Sequence, residues 1–109
     1  RTIDYRSDFY SLGITFYELL TGKLPFAGED ALELVYCHLA KEPTPMQALR
    51  ADIPDAIAQI VSKLMSKNAE DRYQSASGLQ ADLQHCLEAI KTIGSVSAFD
   101  IGKLDRMAQ

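Results

Sequence analysis

Cysteine and histidine, two common zinc ligands, stand side by side at two places in the chain. The pairs are Cys37-His38 and His85-Cys86. Adjacent residues on a helix point about 100° apart, so neither pair chelates one ion easily, and neither has the short-loop spacing of a zinc finger. We therefore expect no metal site. Cys86 falls on an apolar helical stripe, where a thiol packs as a small hydrophobic side chain.

Two charged residues, Asp8 and Arg72, are the remaining candidates for a functional role. Asp8 lies in the first turn of a predicted helix, where the helix dipole favours a carboxylate by about 0.3–1 kcal/mol. Arg72 lies between two predicted helices, where a solvated surface charge is the simplest interpretation. Local chemistry alone therefore gives neither residue a catalytic function.

The composition is that of one ordinary globular domain, with 109 residues, 47% hydrophobic side chains and a net charge of −4. The charge is spread evenly, and without a basic patch nucleic acid is not an expected partner. No apolar run has the length of a membrane segment, and residues 1–6 do not form a signal peptide. We expect a cytoplasmic protein. Because the first residue is Arg1, we also expect the chain to begin inside a longer reading frame.

The strongest predicted element is a helix over about residues 7–21, which read SDFYSLGITFYELLT. Ser7 is the expected N-cap, and Gly22 stands just past the end. Polar side chains occupy one narrow stripe of this helix, and the other positions are apolar or glycine. Such a helix is typical of a buried, central position. Gly13 inside it indicates close packing.

Three further helices are predicted at about residues 29–40, 54–67 and 75–93, so the fold class is all-α. The second helix opens at Glu29 and Asp30. The apolar faces at helical spacing are Leu32, Val35, Tyr36 and Leu39 in the second helix, Ile57, Ile60, Val61 and Leu64 in the third, and Leu79, Leu83, Cys86, Leu87 and Ile90 in the fourth. Residues 94–109 have weak periodicity, and we expect a linker toward a following domain.

Three short sequences occur in order along the chain. Residues 7–13 read SDFYSLG, residues 19–26 read LLTGKLPF, and residues 67–73 read KNAEDRY. They resemble the S-D-x-[WY]-S-x-G, L-x-T-G-x-x-P-F and K-x-P-x-x-R-[YP] motifs of the protein kinase C-lobe, in its serine/threonine branch. Ala69 departs from the pattern because proline is usual there, and the turn would be slightly less rigid.

The resemblance implies a supporting role for both charged residues. In kinases, the aspartate at the position of Asp8 accepts hydrogen bonds from backbone N–H groups of the catalytic loop. The arginine at the position of Arg72 pairs with the glutamate of the A-P-E motif under the activation segment. The second helix, with Glu29, Asp30 and Glu33 near its start, corresponds to a region where kinases often dock substrates or regulators. Acidic residues in a first turn are also ordinary helix chemistry.

The motifs that perform phosphoryl transfer are absent. The sequence has no G-x-G-x-x-G, no V-A-I-K, no H-R-D and no D-F-G, which supply the phosphate, Mg²⁺ and catalytic contacts in a kinase. We expect residues 1–93 to be a partial kinase domain without catalytic, cofactor-binding or metal residues, inactive alone. Its parent would use ATP and Mg²⁺ to phosphorylate Ser/Thr hydroxyls of a protein substrate, with the N-lobe and catalytic loop supplied in cis.

Residues 69–76, AEDRYQSA, and residues 81–83, ADL, are also similar to one bacterial group. In that group a serine/threonine kinase domain is fused to an ATPase module, sensor domains and often a histidine kinase. Residues 99–105, FDIGKLD, resemble the linker that leaves such a kinase domain. Two alternatives stay open, a pseudokinase-type scaffold that binds proteins and, more weakly, a free-standing helical adaptor.

Overall fold

The computed structural model describes residues 5–27 and 30–107, and these residues are helical with no β-strand. The all-α prediction is therefore confirmed. The helices are α1 (Tyr5–Thr21), α2 (Ala31–Ala40), α3 (Met46–Leu49), α4 (Asp55–Leu64), α5 (Ala76–Ile93) and α6 (Lys103–Met107), with a 3₁₀ turn at Ala69–Asp71 between α4 and α5. None of these helices, in the part of the chain that the structure describes, is long and apolar enough to cross a membrane.

Helix ends follow the sequence signals except at the start of α1 and the end of α4. The Asp30 side chain accepts a hydrogen bond from the Glu33 N–H and caps α2, while Ser75 caps α5 by accepting one from the Gly78 N–H. Gly94 ends α5 in the left-handed conformation, with φ of 78°. The expected Ser7 N-cap is wrong, because α1 is already helical at Tyr5. Glu29, the predicted start of α2, lies outside the described residues.

Helix α4 is shorter than the predicted 54–67 range. It ends at Leu64, and Met65 leaves the helical region with φ of −93° and ψ of 11°. The carbonyl groups of Ser66 and Lys67 then turn toward the side chain of Arg72 and accept hydrogen bonds from it. Hydrogen bonds to the Arg72 side chain therefore take the place of the last helical turn. The spacing of apolar residues could not indicate these bonds.

The core consists of two clusters of buried side chains, and α4 contributes to both. The first cluster contains Tyr17, Phe26, Cys37, Met46, Ile53, Val61 and Met65. The second contains Ala56, Ile60, Leu64, Tyr73, Leu79 and Cys86. The inward face predicted for α4 is confirmed, since Ile60, Val61 and Leu64 are buried. Cys86 packs as a small apolar side chain, as predicted, and burial raises the pKa of its thiol.

Helix α1 is buried on one side only, which differs from the expected central position. Gly13 and Tyr17 are its buried residues, whereas Leu19 keeps 73% of its surface exposed. The residues present here cover the side that faces α3 and α4. The exposed positions of α1 are mostly its polar stripe, and Tyr5 and Leu19 are the large apolar side chains that remain exposed.

Helix α2 has the apolar face that the sequence predicted, and this face lies toward solvent. The exposed large side chains on α2 are Leu32, Val35, Tyr36 and Leu39, while Cys37 is buried in the first cluster. Helical spacing identified a real apolar face, but it cannot show whether a neighbour is present to cover that face.

The described chain forms a thin slab with extents of 45 × 36 × 16 Å. Its radius of gyration is 14.6 Å, compared with about 13 Å for a compact domain of this length. A slab has more surface for its volume than a sphere. Its shape therefore agrees with the uncovered apolar face of α2.

Residues 95–107 pack on α5 and do not extend away from it. Val96, Phe99 and Ile101 contact the second cluster, and α6 lies against α5. The weak periodicity gave no signal for α6, because a helix of five residues shows little more than one turn. That residues 94–109 lead toward a following domain stays a prediction.

Gly13 offers a direct test of how closely α1 and α4 pack. An ideal Cβ at this position would lie 2.7 Å from Met65 Cγ and 2.9 Å from Leu64 Cβ. Gly→Ala inside a helix normally stabilises by about 0.5–1 kcal/mol. We expect Gly13→Ala instead to lower the free energy of unfolding by about 1–3 kcal/mol, the usual result of overpacking.

The measurement is urea unfolding of the protein, followed by helical circular dichroism. Ser11→Ala is the matched control, because Ser11 is exposed on the same helix. A Gly13→Ala protein as stable as the parent, or more stable, would contradict the close approach of the two helices.

Candidate functional site

Arg72 lies at the end of the 3₁₀ turn and joins three parts of the chain. Its Nε donates to the Ser66 carbonyl at 2.8 Å, Nη2 to the Lys67 carbonyl at 3.2 Å and Nη1 to the Arg6 carbonyl at 3.0 Å. Ser66 and Lys67 follow α4, and Arg6 belongs to the first turn of α1. The half-buried guanidinium therefore holds the start of α1 against the end of α4, and is not merely a surface charge.

Lys67, from the same motif, attaches α2. Its Nζ donates to the carbonyl groups of Cys37 at 3.0 Å and His38 at 3.2 Å, in the last turn of α2. A cation is favourable there because these carbonyl groups carry the negative end of the helix dipole. Nζ also lies 4.5 Å from the centroid of the Phe26 ring. Burial lowers the pKa of Lys67, and the negative charge of Glu42 opposes part of that shift.

Tyr10 brings the first motif to the same place. Its hydroxyl and His38 Nδ1 form a hydrogen bond of 2.7 Å, and the Arg72 guanidinium lies 4.8 Å from the centroid of its ring. The His38 ring also packs edge-on against Phe26, with centroids 5.2 Å apart. Burial raises the pKa of Tyr10, and Arg72 opposes part of that shift.

All three sequence motifs therefore converge on the end of α2. We call this group the motif junction; it consists of Tyr10, Phe26, His38, Lys67 and Arg72. Its hydrogen bonds join mostly cationic side chains to backbone carbonyls. The two cations also lie over aromatic rings, Lys67 over Phe26 and Arg72 over Tyr10. This arrangement can fix helices relative to one another. The Tyr10–His38 hydrogen bond joins α1 to α2 in the same way.

Asp8, the other predicted site residue, lies apart from the motif junction. It is exposed on α1, and its carboxylate makes no hydrogen bond or ion pair with residues 5–27 or 30–107. Its exposure removes the desolvation cost that a buried carboxylate would carry. The structure thus brings Arg72 to a built junction and leaves Asp8 facing outward.

Gln74 is a residue of this site that sequence reasoning missed. Its side-chain amide donates to the carbonyl groups of Ala69 at 3.0 Å, Glu70 at 3.2 Å and Arg72 at 2.6 Å, which folds the 3₁₀ turn around it. Its Oε1 accepts from Arg6 Nη1 at 3.1 Å.

The backbone of Gln74 takes part as well, because its carbonyl accepts from the Tyr5 hydroxyl. A glutamine next to a turn has little predictive value. The available signal was that an amide both donates and accepts, and so can join two backbone segments.

Neither a metal-binding group among the described residues nor a nucleotide-binding motif in the sequence is found. Within the described ranges, no group of three His, Cys, Asp or Glu side chains is placed to hold a metal ion. The two Cys–His pairs are separated, because Cys37 lies in the first cluster and Cys86 in the second. No glycine-rich phosphate loop occurs in the sequence. No step of phosphoryl transfer is therefore assigned to these residues.

The three motifs that hold this all-helical slab together are typical of protein kinases. Known proteins with similar sequences belong to the same class. An 82-residue stretch is 51% identical to hybrid signal transduction histidine kinase G of Dictyostelium discoideum, covering 75% of this chain and 2% of that protein. The same length is 42% identical to the serine/threonine-protein kinase PknB of Mycolicibacterium smegmatis, covering 75% of this chain and 13% of that protein. A 105-residue stretch is 34% identical to the probable serine/threonine-protein kinase CPE1738 of Clostridium perfringens, covering 95% of this chain and 15% of that protein.

The chain belongs to the serine/threonine protein kinase family, as its motifs predicted. It spans only a small part, between 2% and 15%, of the length of these relatives. Its six helices are compatible with the C-terminal part of the kinase helical lobe. No protein-family model matches the chain.

Arg72→Lys tests whether the guanidinium holds the motif junction. A lysine keeps the charge but cannot present three donors in a planar fork to three carbonyl groups. Hydrogen bonds to charged groups contribute about 1.5–3 kcal/mol each, and a lysine would retain some of them. We expect the free energy of unfolding to fall by about 2 kcal/mol, measured from the urea midpoint.

Arg50→Lys is the matched control. Arg50 forms an exposed ion pair with Asp52 at 2.7 Å and also donates to the Leu20 carbonyl at 3.1 Å. An exposed pair contributes little to stability, so the control midpoint should stay close to that of the parent. Equal effects of the two substitutions would show that Arg72 has no special structural role.

Proposed function

We propose that this chain is the C-terminal part of the catalytic domain of an ATP- and Mg²⁺-dependent serine/threonine protein kinase. The whole protein transfers the γ-phosphate of ATP to Ser/Thr hydroxyl groups of a protein substrate in the cytoplasm. The single observation that carries the proposal is the convergence of three kinase motifs on one junction. In this proposal the chain supplies the frame on which catalytic parts rest, and those parts belong to the rest of the protein.

In this frame Arg72 supports the activation segment. Its contacts with Ser66, Lys67 and Arg6 use only part of the donor capacity of a guanidinium. The remaining N–H groups can bind a carboxylate, and the resemblance supplies one in the A-P-E glutamate. Such a pair would be charge-assisted, which makes it stronger than a neutral hydrogen bond.

Asp8 supports the catalytic loop in the same proposal. An exposed carboxylate in the first half of α1, with no partner among the described residues, can accept backbone N–H groups from a loop that packs on it. The apolar residues of α1 that remain uncovered, such as Leu19, are suited to the same packing. Asp8 is a positioning residue, and it takes no part in proton transfer.

The relatives extend the proposal to a larger signalling protein. The bacterial group that residues 69–76 and 81–83 resemble combines a serine/threonine kinase domain with an ATPase module, sensor domains and often a histidine kinase. The Dictyostelium relative is named a hybrid signal transduction histidine kinase. We propose that the parent of this chain has such an organisation and that residues 94–109 lead toward its next domain.

A second function, a pseudokinase-type scaffold, is favoured by one specific observation. The four exposed apolar side chains of α2 form a contact face that no described residue covers. A scaffold would bind a protein there without phosphorylating it. The discriminating feature is the rest of the parent sequence, because intact H-R-D and D-F-G motifs support the enzyme and their loss supports the scaffold.

The 109-residue chain alone should not bind nucleotide. Because it lacks the phosphate-binding motifs, millimolar Mg-ATP should leave its thermal unfolding unchanged, whereas a ligand that binds the folded state at 100 times its Kd stabilises by about 2.7 kcal/mol. Differential scanning fluorimetry with and without Mg-ATP measures the shift. A shift of several degrees with Mg-ATP, absent with Mg²⁺ alone, would contradict this expectation.

Asp8→Ala in the whole protein should lower kcat strongly, on the order of 100-fold, because a displaced catalytic loop misplaces the reacting groups. The KM for ATP should change little, since nucleotide contacts lie elsewhere. Phosphorylation of a generic Ser/Thr peptide with varied ATP separates the two constants. Glu18→Ala on the same exposed side of α1 is the control, and unchanged kcat in a folded Asp8→Ala protein would refute the positioning role.

A further inference from the structure

The segment after α5 is attached to the protein by two buried carboxylates. Asp105, in α6, exposes 2% of its surface, and Asp82, in α5, exposes 4%. A buried carboxylate is costly unless donors surround it. The hydrogen bonds that these two residues accept therefore show which parts of the chain must stay together.

Asp105 receives its donors from the residues that open α5. Its Oδ2 accepts from the backbone N–H of Gln74 at 2.7 Å, and its Oδ1 accepts from the Ser75 hydroxyl at 2.6 Å. Ser75 is at the same time the N-cap of α5, because its Oγ accepts from the Gly78 N–H at 3.0 Å. Asp105 thus fixes the residue that caps the helix on which α6 rests.

Asp82 accepts hydrogen bonds from one residue that precedes α5 and from one that follows it. Its Oδ2 accepts from the Tyr73 hydroxyl at 2.5 Å and from the backbone N–H of Gly102 at 2.8 Å. Burial raises the pKa of Tyr73 far above its usual range, and the neighbouring carboxylate of Asp82 adds to the shift, so the hydroxyl stays a proton donor. If the segment that contains Gly102 moved away from α5, the Asp82 carboxylate would lose this backbone N–H as a donor.

Two glycines make the close approach sterically feasible. A Cβ on Gly78 would overlap the carboxyl group of Asp105. Gly102 has φ of +81°, a conformation that side chains disfavour, and a Cβ there would lie 2.9 Å from Lys63 Cε. Val96, Phe99 and Ile101 add apolar contacts to the second cluster.

We propose that residues 95–107 form a clasp, held by Asp105 and Asp82, that fixes the direction in which the chain leaves this domain and couples that direction to the motif junction. The coupling runs through Gln74. Its N–H binds Asp105, while its side chain binds the Arg72 carbonyl at 2.6 Å and Arg6 Nη1 at 3.1 Å. Whatever follows residue 107 is therefore connected mechanically to the start of α1.

The test is hydrogen exchange measured by mass spectrometry on the full-length protein that carries this chain. Asp105→Asn keeps the size of the side chain but removes its charge and one of the two acceptor oxygens that bind Gln74 and Ser75. We expect exchange to become at least tenfold faster in peptides covering residues 99–106 and 72–79. Because of the coupling, peptides covering residues 9–12 in α1 should also exchange faster, relative to α4.

Asp100→Asn is the matched control. It removes the same charge from the same segment, but the Asp100 side chain forms an exposed ion pair with Arg106, at 2.7 Å, and no buried contact among the described residues. We expect its exchange to stay within about twofold of the parent in all three regions. If residues 99–106 respond equally to both substitutions, or do not respond, the clasp is refuted. If residues 99–106 respond to Asp105→Asn and residues 9–12 do not, the coupling is refuted.

Gly78→Ala tests the clasp from the opposite side without altering a carboxylate. Alanine normally favours a helix over glycine, but here it displaces Asp105. We expect the same faster exchange at residues 99–106, while Gln80→Ala, an exposed position on α5, leaves it unchanged. If α4 loses protection as much as residues 99–106 in both Gly78→Ala and Asp105→Asn, the segment does not open separately and the proposal is wrong.

Discussion

The guanidinium of Arg72 holds together backbone segments that are far apart in the sequence. It donates to the carbonyl of Arg6, 66 positions away, and to two carbonyl groups after α4. The start of α1 is also joined to this region through Gln74, which accepts hydrogen bonds from Tyr5 and Arg6. The positions of α1, of the turn and of the residues that open α5 all depend on this one planar group, because its fixed fork determines where each carbonyl must lie.

The uncovered faces of the slab follow from the same arrangement. Arg72 and Lys67 fix the ends of α1 and α2, but they bring no layer to cover the outer sides of these helices. Leu19 on α1 and Leu32 on α2 therefore remain in water. The chain matches only a small part of each relative, and we propose that the rest of a kinase domain covers these side chains.

The sequence was informative where a local signal has one structural meaning. Ser75 and Gly94 correctly bounded α5, and the spacing of Ile60, Val61 and Leu64 identified the inner face of α4. The motifs identified the family and pointed to Arg72. Helix α6 and the role of Gln74 were not predictable, because both depend on contacts between residues about 30 positions apart or more. The apolar face of α2 was recognised, but its exposure depends on which neighbours are present.

The attachment of α2 through main-chain groups leaves its outer surface free to change. Lys67 binds the backbone carbonyl groups of Cys37 and His38. Any amino acid at these two positions would offer the same carbonyl groups. Substitutions at the four outward side chains would alter neither these bonds nor the burial of Cys37. The surface of α2 can therefore acquire new shapes and charges at little cost to folding. The groups that hold α2, which are two main-chain carbonyls, the His38 ring and the Cys37 side chain, are separate from the four side chains that it presents to solvent.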